Sequence, residues 1–219
     1  MKIVARIQSH PSRREIRKRL EVGLEGIPYE IIETATDPPS PWYGYKACLE
    51  SLVDENCSHA LIVQDDAIVC HNIGSVLERL AEVVPDLPIC LFLPMVSATK
   101  RDAMQAAVRG ETFVEILPRG FLPVVAVPWP KEKALHFLNW SHTSSSLVKG
   151  NGQKVEHRSD DAMGYLWMRT QNQRALATIP CLVQHPDDVP STIARRPGGR
   201  TALFWHEPPW DPLSVDWSL

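Results

Sequence analysis

The chain has 219 residues, 44% of them hydrophobic, with 23 basic and 26 acidic side chains and a formal net charge of −3. That length and composition suit one domain with a real core, and the charge excludes a global basic field that would pull the protein onto nucleic acid or membrane. Five cysteines without CxxC spacing argue against zinc and a disulfide framework, and a reducing, cytoplasmic setting is the expectation. No stretch approaches the roughly 20 apolar residues of a transmembrane helix, and the first residues hold too short an apolar run for a signal peptide.

In chain order, Lys2 to Gln8 predicts a first strand, ended by Ser9-His10-Pro11. Ser12 is placed to cap a helix with Glu15 as its capping-box partner, and Ile16, Leu20 and Leu24 form the buried face. The other face carries Arg13, Arg14, Arg17, Lys18 and Arg19, a pattern usually just solvated. Arg13 differs: in the first turn after a strand, a guanidinium and free backbone N–H groups can both reach a phosphate.

Tyr29 to Glu33 predicts a second strand and TATDPPSP, from Thr34, a loop. A helix follows from Trp42, with Tyr45, Cys48, Leu49, Leu52 and Val53 on one face. Trp42 at that junction can stack on a base or pack in the core, the commoner role. Lys46 can meet an anion or snorkel.

The stretch His59 to Cys70, HALIVQDDAIVC, reads as a buried strand that stops at Gln64-Asp65-Asp66. Ligands of open α/β sheets sit outside the carboxyl ends of strands. Adjacent carboxylates there suit a hard divalent cation with phosphate oxygens; a solvated acidic turn is the other possibility. A helix from about Asn72 and a strand from Ile89 to Leu93 complete a βαβαβαβ order, which predicts a parallel sheet between helices.

Beyond it, residues 97–110 are an ambiguous helix. Thr112 to Leu117 and Phe121 to Val127 are expected strands, and Pro130 suits a helix start. Ser141 to Arg158 is polar enough to be a lid. Ser159 is a good N-cap, with Asp160 and Asp161 in the first turn, where a helix dipole stabilises carboxylates. Ala175 to Gln184 is a strand interrupted at Pro180 and followed by His185, and a lone histidine is more often structural than a ligand. Residues 191–219 form a tail rich in Pro and Trp, expected to pack on a domain spanning 1–190.

Three segments in this order, HPSR from His10 with the aromatic helix from Trp42, IVQDDA from Ile62, and SDDAMGYLWM from Ser159 followed by IPCLVQH from Ile179, resemble small GT-A-fold glycosyltransferases. The likeness is to phage and bacterial members and to the family that decorates lipopolysaccharide, and it covers about Lys2 to Ser191. It implies a mostly parallel α/β sheet flanked by helices, with a small antiparallel extension. It also implies a nucleotide-sugar donor such as a UDP- or GDP-sugar, and Mn²⁺ or Mg²⁺ on Asp66 and His185. Asp65, Arg13, His10, Trp42, Lys46 and Gln64 would line the donor site, and Asp161, or else Asp160, would be the base of an inverting transfer. Gln64 departs from the Asp or Glu of many relatives, so its part in holding the sugar or ribose is the least supported. Glycan, protein and hydroxylated DNA bases are open as acceptors, the last suggested by Arg195, Arg196 and Arg200. A nucleotidyltransferase and a non-catalytic binding module are the rival classes. The absence of a GxGxxG or Walker-type loop weighs against dinucleotide and P-loop enzymes.

Overall fold

The structure is a computed structural model, and it describes residues 1–36, 40–117, 122–144, 159–186, 201–207 and 210–219. The chain is α/β. Strands β1 (Ile3–Ser9), β2 (Tyr29–Glu33) and β3 (His59–Gln64) pair in parallel, and β7 (Ala126–Pro130) adds antiparallel to β3, in the order β2-β1-β3-β7. β3 is buried over all but its last residue, as a central strand with helices on both faces requires.

The expected strand at Ile89 to Leu93 is shorter, β5 (Ile89–Cys90). It does not join the four-stranded ladder but pairs with β8 (Leu176–Thr178), which also pairs with β6 (Phe113–Glu115). One hydrogen bond, Leu91 N to Ala126 O at 3.0 Å, ties it to β7. The prolines of β7 explain the break. The Ala126 carbonyl faces β5 and the Val125 carbonyl faces β3, where Gln64 N donates to it at 2.8 Å. Peptide groups alternate along a strand, so Pro128 and Pro130 turn toward β5, where each lacks the N–H a longer ladder would need. The β3 side keeps its donors, Val127 and Trp129. The strand expected at Phe121 to Val127 thus lies further along the chain.

The helices follow their apolar stripes. α1 (Arg14–Gly23) buries Leu20, and α2 (Pro41–Glu50) buries Trp42, Tyr45, Cys48 and Leu49. α3 (Ile73–Val83) buries Ile73, Val76, Leu77 and Leu80, each large side chain contributing about 1.5–3 kcal/mol. α4 (Lys100–Val108), α5 (Lys131–Thr143) and α6 (Asp160–Thr170) complete the helices among the described residues. The start of α1 differs from expectation. Pro11 begins a 3₁₀ turn, Pro11–Arg13, capped by His10, so Ser12 lies inside the turn and its hydroxyl meets His10 Nδ1 at 2.7 Å. Glu15 pairs with Lys18 instead of closing a capping box.

The short antiparallel pairing of β4 (Ile68–Val69) with β9 (Val183–Gln184) brings the segment before His185 beside the end of β3. In the tail, Ala202 bridges to Pro94, and Trp217 is buried edge-on against Phe113. Arg195, Arg196, Arg200, the turn at 118–120 and most of the expected lid, 145–158, lie outside the described residues. Ser141 to Thr143 belong to α5, which is longer than the sequence pattern indicated. Among the described residues, no helix is long and apolar enough to cross a membrane.

Candidate active site

The carboxyl ends of β1 and β3, the start of α6 and the end of β9 meet at one place. β1 delivers Gln8 and, through the 3₁₀ turn, His10 and Arg13. β3 delivers Gln64, Asp65 and Asp66, α6 delivers Asp160 and Asp161, and β9 leads into His185.

Asp65 and Asp66 are 4% and 3% exposed, a costly burial for two adjacent carboxylates, and three groups offset it. Arg13 Nη1 bonds Asp65 Oδ1 at 3.2 Å and also Asp66 Oδ2. His10 N donates to Asp65 Oδ2 at 2.8 Å. His185 Nε2 lies 3.2 Å from Asp66 Oδ2. Burial drives the Asp65 carboxyl above the usual range against the His10 N–H and Arg13. Burial pulls Asp66 the same way, but His185 and Arg13 outweigh it and hold this carboxyl below the usual range.

The His185 ring is held between two neighbours. Its Nδ1 is 3.1 Å from the Pro186 carbonyl, which can only accept, and its Nε2 faces Asp66 Oδ2 on the other side of the ring. Its own N–H donates to Gln184 Oε1 at 3.0 Å, and the same oxygen takes the Ala202 N–H at 2.7 Å. Gln184 thereby fixes both His185 and the returning tail, a role nothing in the sequence pattern signalled.

These residues fit a divalent cation with few protein ligands. Asp66 Oδ1 is buried and has no hydrogen-bond partner, an acceptor left over beside the His185 nitrogen. Among the described residues no group of three or more His, Cys, Asp or Glu side chains forms a cage. One carboxylate and one imidazole, completed by water and phosphate oxygens, match how Mg²⁺ and Mn²⁺ sit with phosphorylated substrates.

The α6 carboxylates divide. Asp160 is 3% exposed, and its Oδ2 accepts from Gln64 Nε2 at 3.1 Å and Gln8 Nε2 at 3.4 Å, while its Oδ1 accepts from Asp161 N at 2.9 Å. Burial raises its pKa against those donors. Asp161 is half-buried, and its Oδ1 takes the Val124 N–H at 3.3 Å. Ser159 caps the helix through Ala162 N, as its position predicts.

Three expected donor-site residues are placed differently. Trp42 is 4% exposed and packs on Phe137 at 5.4 Å and Tyr45 at 6.4 Å, so its ring serves the core and is not open to a base. Lys46 pairs with Glu50, 3.4 Å away on the next turn of α2. The Gln64 amide is turned to Asp160 rather than into open space for a sugar. Gln8 is the residue that sequence reasoning missed. In the sequence it marks only the end of the first strand, and the signal available is a polar side chain at the carboxyl end of a buried strand next to β3.

The chain matches no protein-family model, and no curated protein matches it.

Proposed function

We propose that the protein is a GT-A-type glycosyltransferase that moves a sugar from a nucleotide diphosphate donor to an acceptor hydroxyl. The single observation that carries this is the meeting of Arg13, Asp65-Asp66, Asp160-Asp161 and His185, drawn from four separate segments, at the carboxyl ends of β1 and β3. That is where an open α/β sheet binds ligands, and the residues supply the charges such a transfer needs.

The leaving diphosphate requires positive charge. Arg13 provides a guanidinium fork suited to phosphate oxygens, and the backbone of the turn at His10 lies beside it. A Mn²⁺ or Mg²⁺ ion held by Asp66 and His185 would add Lewis-acid stabilisation of the same group. Asp161, the more accessible of the α6 pair, accepts the acceptor's proton. The new C–O bond forms as the bond between the anomeric carbon and the phosphate oxygen breaks, and the electron pair leaves with the nucleotide. A single displacement of this kind inverts the anomeric centre.

The test is nucleotide release and thermal unfolding across a panel of UDP- and GDP-sugars, with Mn²⁺ and then EDTA, offering glycan and hydroxymethylated DNA acceptors. The expected result is a metal-dependent midpoint rise with one donor and nucleotide release on adding an acceptor, both lost in Asp66→Ala. Asp161→Asn should bind that donor and release nucleotide at least about a hundredfold more slowly. Pyrophosphate exchange in place of sugar transfer would point to a nucleotidyltransferase. Donor binding without release, unchanged by Asp161→Asn, would point to a binding module.

A further inference from the structure

We infer that Gln8 and Gln64 act as positioning residues, a pair of amide donors on neighbouring strands that clamp Asp160 and thereby aim Asp161. This rests on the glycosyltransferase reading for its catalytic consequence, but the clamp itself is a matter of geometry.

The orientation of both amides follows from their partners. Gln8 Nε2 faces the Pro41 carbonyl at 2.8 Å and Asp160 Oδ2 at 3.4 Å, and the nearer partner, a carbonyl, can only accept. Rotating the amide would set Oε1 against the Pro41 carbonyl oxygen, so the NH₂ group points this way. The Gln8 Oε1 atom is then left buried without a partner, a cost accepted to keep the donor on Asp160 and Pro41. Gly44 permits the approach: a Cβ there would lie 3.2 Å from the Gln8 side chain and 2.8 Å from Thr34 Oγ1. Gln64 completes the clamp at 3.1 Å from β3. β1 and β3 are directly paired with Gln8 opposite Gln64, so the two amides approach Asp160 from the same rung of neighbouring strands.

On its other oxygen, Asp160 holds the backbone N–H of Asp161 at 2.9 Å, and the Asp161 carboxylate is tied to Val124 N. The first turn of α6 is therefore tied to the sheet through a buried carboxylate in addition to the apolar packing of Met163. A shorter or longer side chain at position 8 or 64 would free that turn. Catalytic geometry is sensitive to such freedom, because a shift of about 1 Å costs on the order of a hundredfold in rate.

The test uses the full chain with Gln64→Met and Gln8→Met, which keep side-chain length and remove the donors. Hydrogen exchange of the amides at 159–163 is expected to accelerate in each variant relative to α3, whose exchange should not change. With the donor found to bind, kcat is expected to fall at least about tenfold while KM for the donor stays within about twofold. A raised KM with unchanged kcat would overturn the proposal and return Gln64 to direct contact with the sugar or ribose. Unchanged exchange at 159–163 in both variants would also overturn it. If the wild-type protein turns over no nucleotide sugar, the glycosyltransferase reading fails alone, and the exchange arm still decides the clamp. Should Gln64→Met not fold, Gln8→Met decides by the same criteria.

Discussion

Replacing Arg13 by Met removes one guanidinium from between two carboxylates whose side chains are 5% and 1% exposed. Breaking a buried ion pair by deleting one partner costs about 3–5 kcal/mol, because the remaining charge is stranded away from water. Here the stranding is partial. Asp65 keeps the His10 N–H and Asp66 keeps His185, so a loss of about 3 kcal/mol, the lower end of that range, is expected. In a chain of this size 1 kcal/mol moves the midpoint by about 2–4 °C, so the variant should melt roughly 6–12 °C lower in metal-free buffer. Urea unfolding should show a lower midpoint with an unchanged slope. On the proposal that Asp66 holds Mn²⁺, the ion should raise the midpoint more in Arg13→Met than in the wild type, where guanidinium and cation would compete for Asp66. Arg13→Lys, which keeps the charge but loses the fork, should fall between the two. A loss below about 1 kcal/mol would mean that water already solvates the acidic pair, as at an exposed ion pair, and would refute the buried-cluster description. An equal Mn²⁺ response in variant and wild type would refute the shared use of Asp66.

Three further outcomes follow from the packing. Trp42→Ala should cost about 3–5 kcal/mol in chemical unfolding, with any nucleotide affinity unchanged where the protein is folded; a selective loss of nucleotide binding would restore Trp42 to the site. Gly164→Ala sets a Cβ 2.7 Å from Leu122 Cδ2 and 2.9 Å from Leu122 Cβ, too close for the far end of the side chain alone to give way. Despite alanine's better helix propensity it should destabilise by about 1–3 kcal/mol, and a raised melting point would contradict the close seat of α6 on Leu122. His59, with Nε2 on the Pro85 carbonyl at 3.1 Å, has its pKa lowered by burial. The unfolded chain therefore binds this proton more readily, so the stabilisation is complete above about pH 6.5 and is lost as the pH falls toward the folded value. His59→Gln should flatten the slope of stability against pH between about pH 7 and pH 5; an unaltered slope would assign that dependence to another group.

The elements governed by local pattern were legible in the sequence. Tyr29–Glu33 and His59–Gln64 announce themselves as apolar runs between turn formers, and α3 by its stripe. The acidic pair at the end of β3 and the start of α6 at Ser159 were legible for the same reason, since caps and strand ends are short-range features. What was not legible depends on partners distant in the chain. Whether Ile89 to Leu93 extends as a strand depends on which way Pro128 turns its peptide nitrogen, and that is set by antiparallel pairing with β3. Trp42 stands at a loop-to-helix junction in sequence, but Phe137 decides that it is core. The Gln64 amide could have faced a ligand or a neighbour, and only the arrival of Asp160 from 96 residues away chooses between them.

The order in which the site's parts leave the ribosome has a consequence for synthesis. Arg13 and the Asp65-Asp66 pair lie within the first third of the chain and neutralise one another across 52 and 53 residues, so the nascent β1-α1-β2-α2-β3 unit can close with its charges matched. Asp160 and His185 come more than ninety residues after the acidic pair and are made later than the strands they meet. Contacts of such separation are slow to form, and until residues 126–130 have been made β3 lacks β7 on one edge, which is then open to pairing with another chain. Arg13, paired with the two carboxylates that follow β3, sets ordered charge at the carboxyl end of that strand, the kind of feature that discourages strand addition from a stranger.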